Sequence, residues 1–167
     1  MKDSTKLDLG DYLPYLVNRV GMIVADQFGG EALAPHRLSI AMWRVMAVVA
    51  STGSQRQIDL SDLTSIDAST LSRIVTRLVR MGLVTRTRSK SSNREVAVTL
   101  SVKGNALVAR LIPLAREFEG DAIAGLSPEE LAVLKRCLHR MYNNMKSRPA
   151  ATGRSRQTRS RQKRIAI

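Results

Sequence analysis

A carboxylate-free run of basic and hydroxyl side chains is the part of this sequence best suited to binding a ligand. Residues 68–94 contain seven Lys and Arg residues and no Asp or Glu. Near its start the run reads Ser-Thr-Leu-Ser-Arg, over residues 69–73. Guanidinium groups bind phosphate oxygens and the O6 and N7 atoms of guanine, and hydroxyl groups bind either phosphates or bases. This chemistry predicts contact with nucleic acid; the alternative is a solvated basic surface.

The carboxy-terminal segment is a second basic stretch without carboxylates. Residues 146–167 carry eight Lys and Arg residues, within a chain of 167 residues whose net charge is +13. The remaining residues are therefore nearly neutral as a group, a pattern typical of proteins that bind polyanions. The low apolar content and the repulsion between like charges predict a disordered tail. Three roles remain open for it: sequence-independent phosphate contacts, binding to an anionic surface, or a solvated charge that only aids solubility.

The same residues argue against an enzyme. The chain has neither a Gly-rich phosphate loop nor a Ser/His/Asp arrangement, and its two histidines, His36 and His139, are isolated. One cysteine, Cys137, allows no intrachain disulfide and no Cys-rich zinc site. We therefore expect no metal and no cofactor, and a buried structural thiol at Cys137. Short apolar runs and a polar amino-terminal segment predict a cytoplasmic protein that does not enter membranes.

Apolar residues at helical spacing predict six helices. They cover residues 11–28, 38–50, 58–64, 68–81, 102–124 and 128–145. Asp67 and Ser127 are the expected N-caps of the fourth and sixth helices. Gly29-Gly30, Gly53 and Gly82 are expected to end the first, second and fourth.

Between the fourth and fifth helices the pattern changes to strand-like alternation. Two such runs flank the polar residues 89–93, which predicts a β-hairpin. In the fifth helix, Pro113 is expected to introduce a kink. The side chains expected to face inward there are Leu107, Leu111, Leu114 and Phe118.

Helix, short helix, helix and hairpin in this order predict a mainly α fold with a small β-hairpin wing, a winged helix-turn-helix. In this fold the second helix of the turn enters the major groove and the hairpin reaches the neighbouring backbone or minor groove. The predicted domains are a DNA-binding domain at 38–101, a helical dimerisation region at 1–37 and 102–145, and a disordered tail at 146–167. The predicted DNA-binding residues are Ser69, Thr70, Ser72, Arg73, Arg77, Arg86, Arg88, Lys90, Asn93 and Arg94.

With these elements in place, the chain resembles the multiple-antibiotic-resistance regulator (MarR) family of bacterial transcription factors. The matching stretches are Trp-Arg-Val-Met at 43–46, Leu-Ser-Asp-Leu at 60–63, Asp-Ala-Ser-Thr-Leu-Ser-Arg at 67–73 and Leu-Val-Arg-Met-Gly-Leu-Val at 78–84. The resemblance spans roughly residues 11–145. It departs in the wing, where the family's usual Asp-x-Arg reads Ser92-Asn93-Arg94. Arg94 keeps the position of the family's DNA contact, while the acidic partner is replaced by Ser92.

The resemblance implies a homodimeric repressor that binds a palindromic operator in double-stranded DNA and is released by a small aromatic anion or its coenzyme A thioester. The apolar stripes of the first and last two helices are suited to a dimer interface. The family's effector site lies where the dimerisation helices meet the winged domain. The residues expected to line it are Tyr15, Arg19, Met22, His36, Arg37, Ser39 and Trp43. Two alternatives remain open, an oxidant sensor using Cys137 and a non-regulatory basic nucleic-acid binder.

Overall fold

The computed structural model describes residues 6–88 and 96–148, and the order of its elements is the predicted one with three additions. The six α-helices are α1 (Leu13–Phe28), α2 (Ile40–Thr52), α3 (Gln57–Thr64), α4 (Ala68–Arg80), α5 (Val102–Ala122) and α6 (Pro128–Lys146). The three strands are β1 (Gln55–Arg56), β2 (Val84–Arg88) and β3 (Val96–Leu100). The additions are β1 and two short helical segments between α1 and α2.

The segment after α1 departs from the prediction that Gly29-Gly30 ends the helix. Gly29 keeps an ordinary right-handed helical conformation, and the chain continues as a π-helical turn, Gly29–Leu33, and a 3₁₀ turn, Ala34–His36. Ala32 and Leu33 are buried, and their burial favours the continuation of helical turns over a break at the glycines. The helical turns end at Arg37, whose φ of 57° lies in the left-handed region.

Helices α2, α3 and α4 form the centre of the core. Their apolar faces bury Met42, Val45, Met46, Val49, Leu60, Leu71, Val75 and Leu78. Ser39 caps α2 by accepting the Met42 N–H, and Asp67 caps α4 by accepting the Thr70 N–H, so both helices begin where a side-chain oxygen satisfies a free backbone donor. Gly53 and Gly82 end α2 and α4 with positive φ, as predicted.

The sheet is antiparallel with the order β1-β3-β2. The hairpin β2–β3 confirms the predicted wing, and Val84 pairs with Leu100 at its base. Strand β1 was not predicted, because two residues are too few to show a period. It pairs Gln55 with Val98 and so ties the end of α2 to the wing.

Helix α5 starts at the base of the wing with an unusually close backbone contact. Ser101 caps it by accepting the Gly104 N–H, and its hydroxyl donates to the Gly82 carbonyl. A Cβ atom on Gly104 would lie 2.0 Å from the Leu83 carbonyl oxygen. Only glycine permits this approach without a backbone shift.

The inward face of α5 differs from the prediction at one position. Leu114 is 38% exposed, while Leu111 is buried and Phe118 packs against the core. The face that packs follows Gly104, Val108, Leu111 and Ala115. The packed face of α5 therefore includes Ala115 and not its neighbour Leu114. The apolar pattern of the sequence alone did not distinguish these two positions.

The residues from Gly125 onward form a second unit, of which α6 is the described helix. Its start confirms the predicted capping box, since Ser127 and Glu130 each accept the other's backbone N–H. None of its residues is buried, and Cys137 is exposed. The expectation of a buried thiol is therefore wrong for this chain, because the side chains of α6, including its apolar ones, are left uncovered. Among the described residues, no helix is long and apolar enough to cross a membrane.

Candidate nucleic-acid interface

Helix α4 divides into an apolar face that packs and a basic face that does not. Leu71, Val75 and Leu78 are fully buried and fix the helix on the core. On the opposite side, Ser69, Arg73, Arg77 and Arg80 are exposed, while Thr70, Ser72 and Thr76 are half-buried. A surface hollow of about 380 Å³ is lined by Ser72, Arg73, Thr76, Arg77 and Arg80. We name this surface the α4 basic face.

The amino-terminal end of the α4 basic face is ordered by Asp67. Its carboxylate accepts the Ser69 hydroxyl at 2.6 Å and the Thr70 N–H at 2.9 Å. These hydrogen bonds hold the pKa of Asp67 well below its ordinary value of 3.8. One turn further, Arg73 Nη2 donates to the Thr70 hydroxyl at 3.3 Å. The side chains predicted to meet base edges are therefore already oriented by their neighbours.

Arg86 lies on β2 and points to α4. Its Nη2 atom donates to the Ser72 carbonyl at 3.1 Å and to the Thr76 hydroxyl at 3.0 Å. Arg86 was predicted as a DNA contact, and the structure gives it a positioning role that joins the wing to the α4 basic face.

Arg77 makes a longer contact in the other direction. Its Nη2 atom lies 3.5 Å from the Arg37 carbonyl oxygen, in the left-handed turn that precedes α2. Arg77 therefore joins the α4 basic face to the turn between α1 and α2.

The remaining predicted DNA contacts belong to the wing. Arg88 is the last residue of β2 and pairs with Val96. Lys90, Asn93 and Arg94, together with Ser92, lie outside the described residues.

Two residues of the α4 basic face were missed by the sequence analysis. Thr76 and Arg80 line the same hollow as Ser72 and Arg73. Their spacing carried the signal, since Thr76 follows Ser72 by one turn and Arg80 follows Arg73 by two.

Two apolar cavities lie along α1. The larger, about 860 Å³, is lined by Leu16, Arg19, Val20, Met22, Ile23, Ala25, Asp26 and Ile40. The second, about 620 Å³, lies between α1, α2 and α5 and is lined by Val20, Gly21, Val24, Ala25, Phe28, Ile40, Trp43, Arg44, Ala47, Val48, Ser51, Ala115 and Phe118. They share Val20, Ala25 and Ile40. We name the second the aromatic cavity, because Phe28 stacks edge-on against both Trp43 and Phe118, with ring centroids 5.6 Å apart in each pair.

The predicted effector residues do not all line one cavity. Trp43 lines the aromatic cavity, and Arg19 and Met22 line the larger one. Tyr15 packs its ring under the Arg19 guanidinium at 5.7 Å but lines neither cavity.

The other three predicted effector residues belong to the turn between α1 and α2 and line neither cavity. His36 ends the 3₁₀ turn, Arg37 has the left-handed conformation, and Ser39 is occupied as the N-cap of α2. Their part in effector binding stays a prediction.

Arg44 is the cation of the aromatic cavity, and the sequence analysis missed it. It is the only charged side chain among the described residues that line this cavity. The larger cavity has both Arg19 and Asp26, so its charges offset each other. An apolar, aromatic space of this size with one cation is suited to a small aromatic anion. Within residues 6–88 and 96–148, no three His, Cys, Asp or Glu side chains are grouped as they would be to hold a metal ion.

The geometry agrees with comparisons to known proteins. The model of the MarR family matches residues 38–96, which include α2, α3, α4 and the first strand of the wing and end at the first residue of β3. The structure of a MarR family transcriptional regulator from Silicibacter pomeroyi is similar with a TM-score of 0.76 and 27% identity, covering 84% of this chain and 93% of that one. Residues 38–96 are a MarR-family domain, and the chain resembles MarR-family transcription regulators along most of its length.

Two further MarR-fold relatives have informative names. The HTH-type transcriptional repressor NicR of Pseudomonas putida is 25% identical over 142 residues, which cover 85% of this chain and 89% of NicR. The Bordetella bronchiseptica protein BpsR, whose DNA binding is regulated by 6-hydroxynicotinic acid, has a TM-score of 0.70 and 25% identity, covering 78% of this chain and 98% of BpsR. The MarR-family assignment makes this chain a DNA-binding regulator and not an enzyme.

Proposed function

We propose that this MarR-family chain is a homodimeric transcriptional repressor that binds a palindromic operator and releases it on binding a small aromatic anion. The observation that carries the proposal is the α4 basic face, which is exposed, free of carboxylates and held in place by Asp67 and Arg86. The assignment of repression is supported by the similarity to NicR, a transcriptional repressor.

The side chains of the α4 basic face divide by position into base readers and phosphate contacts. Ser69, Thr70 and Arg73 lie in the first two turns of α4, the part of a recognition helix that meets base edges. Arg77 and Arg80 lie in the last turn and are proposed to bind phosphates. Arg88, Lys90, Asn93 and Arg94 of the wing are proposed to bind the adjacent backbone or minor groove.

Dimerisation is supported by apolar surface that the single chain leaves uncovered. On α1, Leu13, Leu16, Val17 and Val20 are all exposed, and α6 separately exposes Leu134 and Leu138. A second copy would cover such surface, since monomeric proteins rarely leave large contiguous apolar patches in water. A two-fold dimer would present two α4 basic faces to half-sites about 34 Å apart, one turn of DNA.

The aromatic cavity supports an effector of the aromatic carboxylate class or its coenzyme A thioester. The BpsR relative supplies a specific candidate, 6-hydroxynicotinic acid. A flat anion of this kind would stack on the aromatic residues and place its charge near Arg44.

The operator proposal is tested by selecting bound duplexes from a random DNA library near physiological salt. We expect one inverted repeat with half-sites one helical turn apart, preferred over random DNA by about 10³-fold or more. Sedimentation of the complex is expected to give two chains per duplex. Recovery of unrelated sequences would contradict the proposal and favour the non-regulatory basic binder.

The basic tail allows that alternative to be separated cleanly. Of the predicted tail at 146–167, Lys146 ends α6 and residues 149–167 lie outside the described residues, so the prediction of disorder there stays a prediction. Residues 149–167 contain six Lys and Arg residues and no carboxylate. Deleting them is expected to reduce the salt dependence of binding while leaving the preferred sequence unchanged. Loss of sequence preference with the tail would instead assign recognition to the tail.

The oxidant-sensing alternative gains one observation, the exposure of Cys137. It is tested by comparing operator release by peroxide in the wild type and in Cys137→Ser. The effector proposal predicts that peroxide releases neither protein from DNA. Release of the wild type alone would favour the oxidant sensor.

A further inference from the structure

We propose that Arg44 couples the aromatic cavity to the recognition helix, by exchanging its hydrogen bond to the end of α3 for one to the anionic group of an effector. This inference rests on the proposed effector function and adds the residue through which occupancy of the cavity reaches α4. Two independent observations meet at this side chain, one on each side of α2.

The first observation is the position of Arg44 at the cavity. It follows Trp43 on α2, and both residues line the aromatic cavity. The other described residues of the lining are uncharged, and all of them except Ser51 are apolar or aromatic. An anion bound there has Arg44 as its one available counter-charge among these residues. Arg44 is exposed, and the apolar lining on one side of it reduces the screening of this attraction by water.

The second observation is the hydrogen bond that joins Arg44 to the end of α3. Its Nη1 atom donates to the Thr64 carbonyl at 3.3 Å. Thr64 is the last residue of α3, and the final carbonyls of a helix have no intrahelical donor. A guanidinium there both satisfies a free carbonyl and interacts favourably with the negative end of the helix dipole.

The end of α3 is joined to the start of α4 by a very short connection. Ser65, with a left-handed φ of 54°, and Ile66 are the only residues between Thr64 and the N-cap Asp67. The Ser61 hydroxyl donates to the Ile66 carbonyl and ties this turn back to α3. With so short a connection, a change at the Thr64 carbonyl is transmitted directly to the N-cap that orders the α4 basic face.

The exchange is favoured by the chemistry of the two acceptors. A carboxylate carries a full negative charge and can accept two parallel guanidinium hydrogen bonds, whereas the Thr64 carbonyl accepts one from Arg44. An aromatic carboxylate in the cavity would therefore draw Arg44 from Thr64, leave the end of α3 without its donor and loosen the α3–α4 turn. By linkage, operator DNA would weaken effector binding by the same factor.

The test uses Arg44→Met, which substitutes an unbranched apolar side chain of similar length and so removes the guanidinium. Arg110→Met is the matched control, because Arg110 is an exposed arginine on α5 that lines neither cavity. Trp43 is the only tryptophan of the chain, so its fluorescence reports occupancy of the aromatic cavity independently of DNA release. The probes are 6-hydroxynicotinate and 2-hydroxybenzoate, each compared with its uncharged amide.

Without any probe, Arg44→Met is expected to bind the selected operator about tenfold more weakly than the wild type, the effect of losing a charged hydrogen bond. Arg110→Met is expected to bind as the wild type does. Circular dichroism and the unfolding midpoint verify that both variants fold. A folded Arg44→Met protein with wild-type operator affinity would overturn the proposal, whether or not a probe binds.

With a probe that quenches Trp43, the wild type and Arg110→Met are expected to lose operator affinity, while Arg44→Met at a saturating probe concentration changes less than about twofold. The amides are expected to quench Trp43 without releasing DNA. Release of DNA from Arg44→Met to the wild-type extent would overturn the coupling and leave the effector function intact. If no carboxylate quenches Trp43 or releases the wild type, the proposed effector class fails, and the probe-free comparison still decides the role of Arg44.

Discussion

Arg86 on the first strand of the wing donates a hydrogen bond to the Thr76 hydroxyl on α4, with 3.0 Å between Nη2 and Oγ1. The same nitrogen donates to the Ser72 carbonyl at 3.1 Å. Wing and recognition helix are therefore joined by a side chain ten residues from its partner, on the surface proposed to face DNA.

This pair predicts non-additive effects on operator binding. Arg86→Met removes the donor and Thr76→Val removes the hydroxyl, so each is expected to weaken binding. Once one partner is gone the other contributes little, and the double variant is expected to fall short of the sum by about 0.5–1.5 kcal/mol. Fluorescence-anisotropy titrations of the four proteins measure this coupling. Additive losses would mean that Arg86 and Thr76 act on DNA separately.

Arg73 and Arg80 are expected to differ in the kind of binding they support. Arg73 lies in the second turn of α4, the part proposed to meet the bases, so Arg73→Ala should relax sequence preference and cost about 1–3 kcal/mol at the operator. Arg80 is the last residue of α4, so Arg80→Ala should weaken operator and random DNA alike. Its salt slope should fall by about one unit. Titrations on both DNAs at several salt concentrations distinguish the two; identical profiles would remove the distinction.

Asp67 predicts a dependence of stability on pH. Its pKa in the folded chain is lowered by the hydrogen bonds from Ser69 and Thr70, whereas in the unfolded chain it returns to its ordinary value of 3.8. A lowered folded pKa means that the stabilisation is present above pH 3.8 and is lost as pH falls through and below that value. The free energy of unfolding of Asp67→Asn is therefore expected to fall less steeply with acid.

Urea unfolding between pH 5 and pH 2.5 tests this expectation. Asp59 is a second carboxylate with a lowered pKa, because Arg56 donates to it at 2.6 Å. Asp59→Asn should therefore flatten the acid dependence too, and the double variant should flatten it further. An unchanged slope in Asp67→Asn would mean that its cap does not persist in solution.

Gly104 and Gly120 form a matched pair within α5. At Gly104 a Cβ would lie 2.0 Å from the Leu83 carbonyl, whereas at Gly120 it would meet nothing within 4 Å. Gly104→Ala is therefore expected to lower the free energy of unfolding by about 1–3 kcal/mol through overpacking. Gly120→Ala is expected to raise it by about 0.5–1 kcal/mol, since alanine is the better helix former. Thermal unfolding of the two variants measures the difference, and equal effects would contradict the close contact.

Most of the helices and the wing were predictable because their signals are local. Asp67 caps α4 by bonding three residues ahead, and Ser127 and Glu130 form their capping box over the same distance. The alternation that predicted the hairpin is likewise contained within β2 and β3. The prediction that α1 ends at Gly29-Gly30 failed because packing overrode a local signal. The burial of Leu33 keeps the chain helical past the two glycines.

The candidate site likewise combines features that local sequence signals predict with contacts that depend on packing. The sequence by itself determined most of the α4 basic face, because its charge and helical period lie within one short segment, and the structure added Thr76 and Arg80. Only the tertiary structure decided which side chains meet across the chain. Arg44 reaches a carbonyl twenty residues away, and Gly104 approaches the Leu83 backbone at the base of the wing. Such contacts depend on how separate elements pack, and neither residue period nor capping encodes that packing.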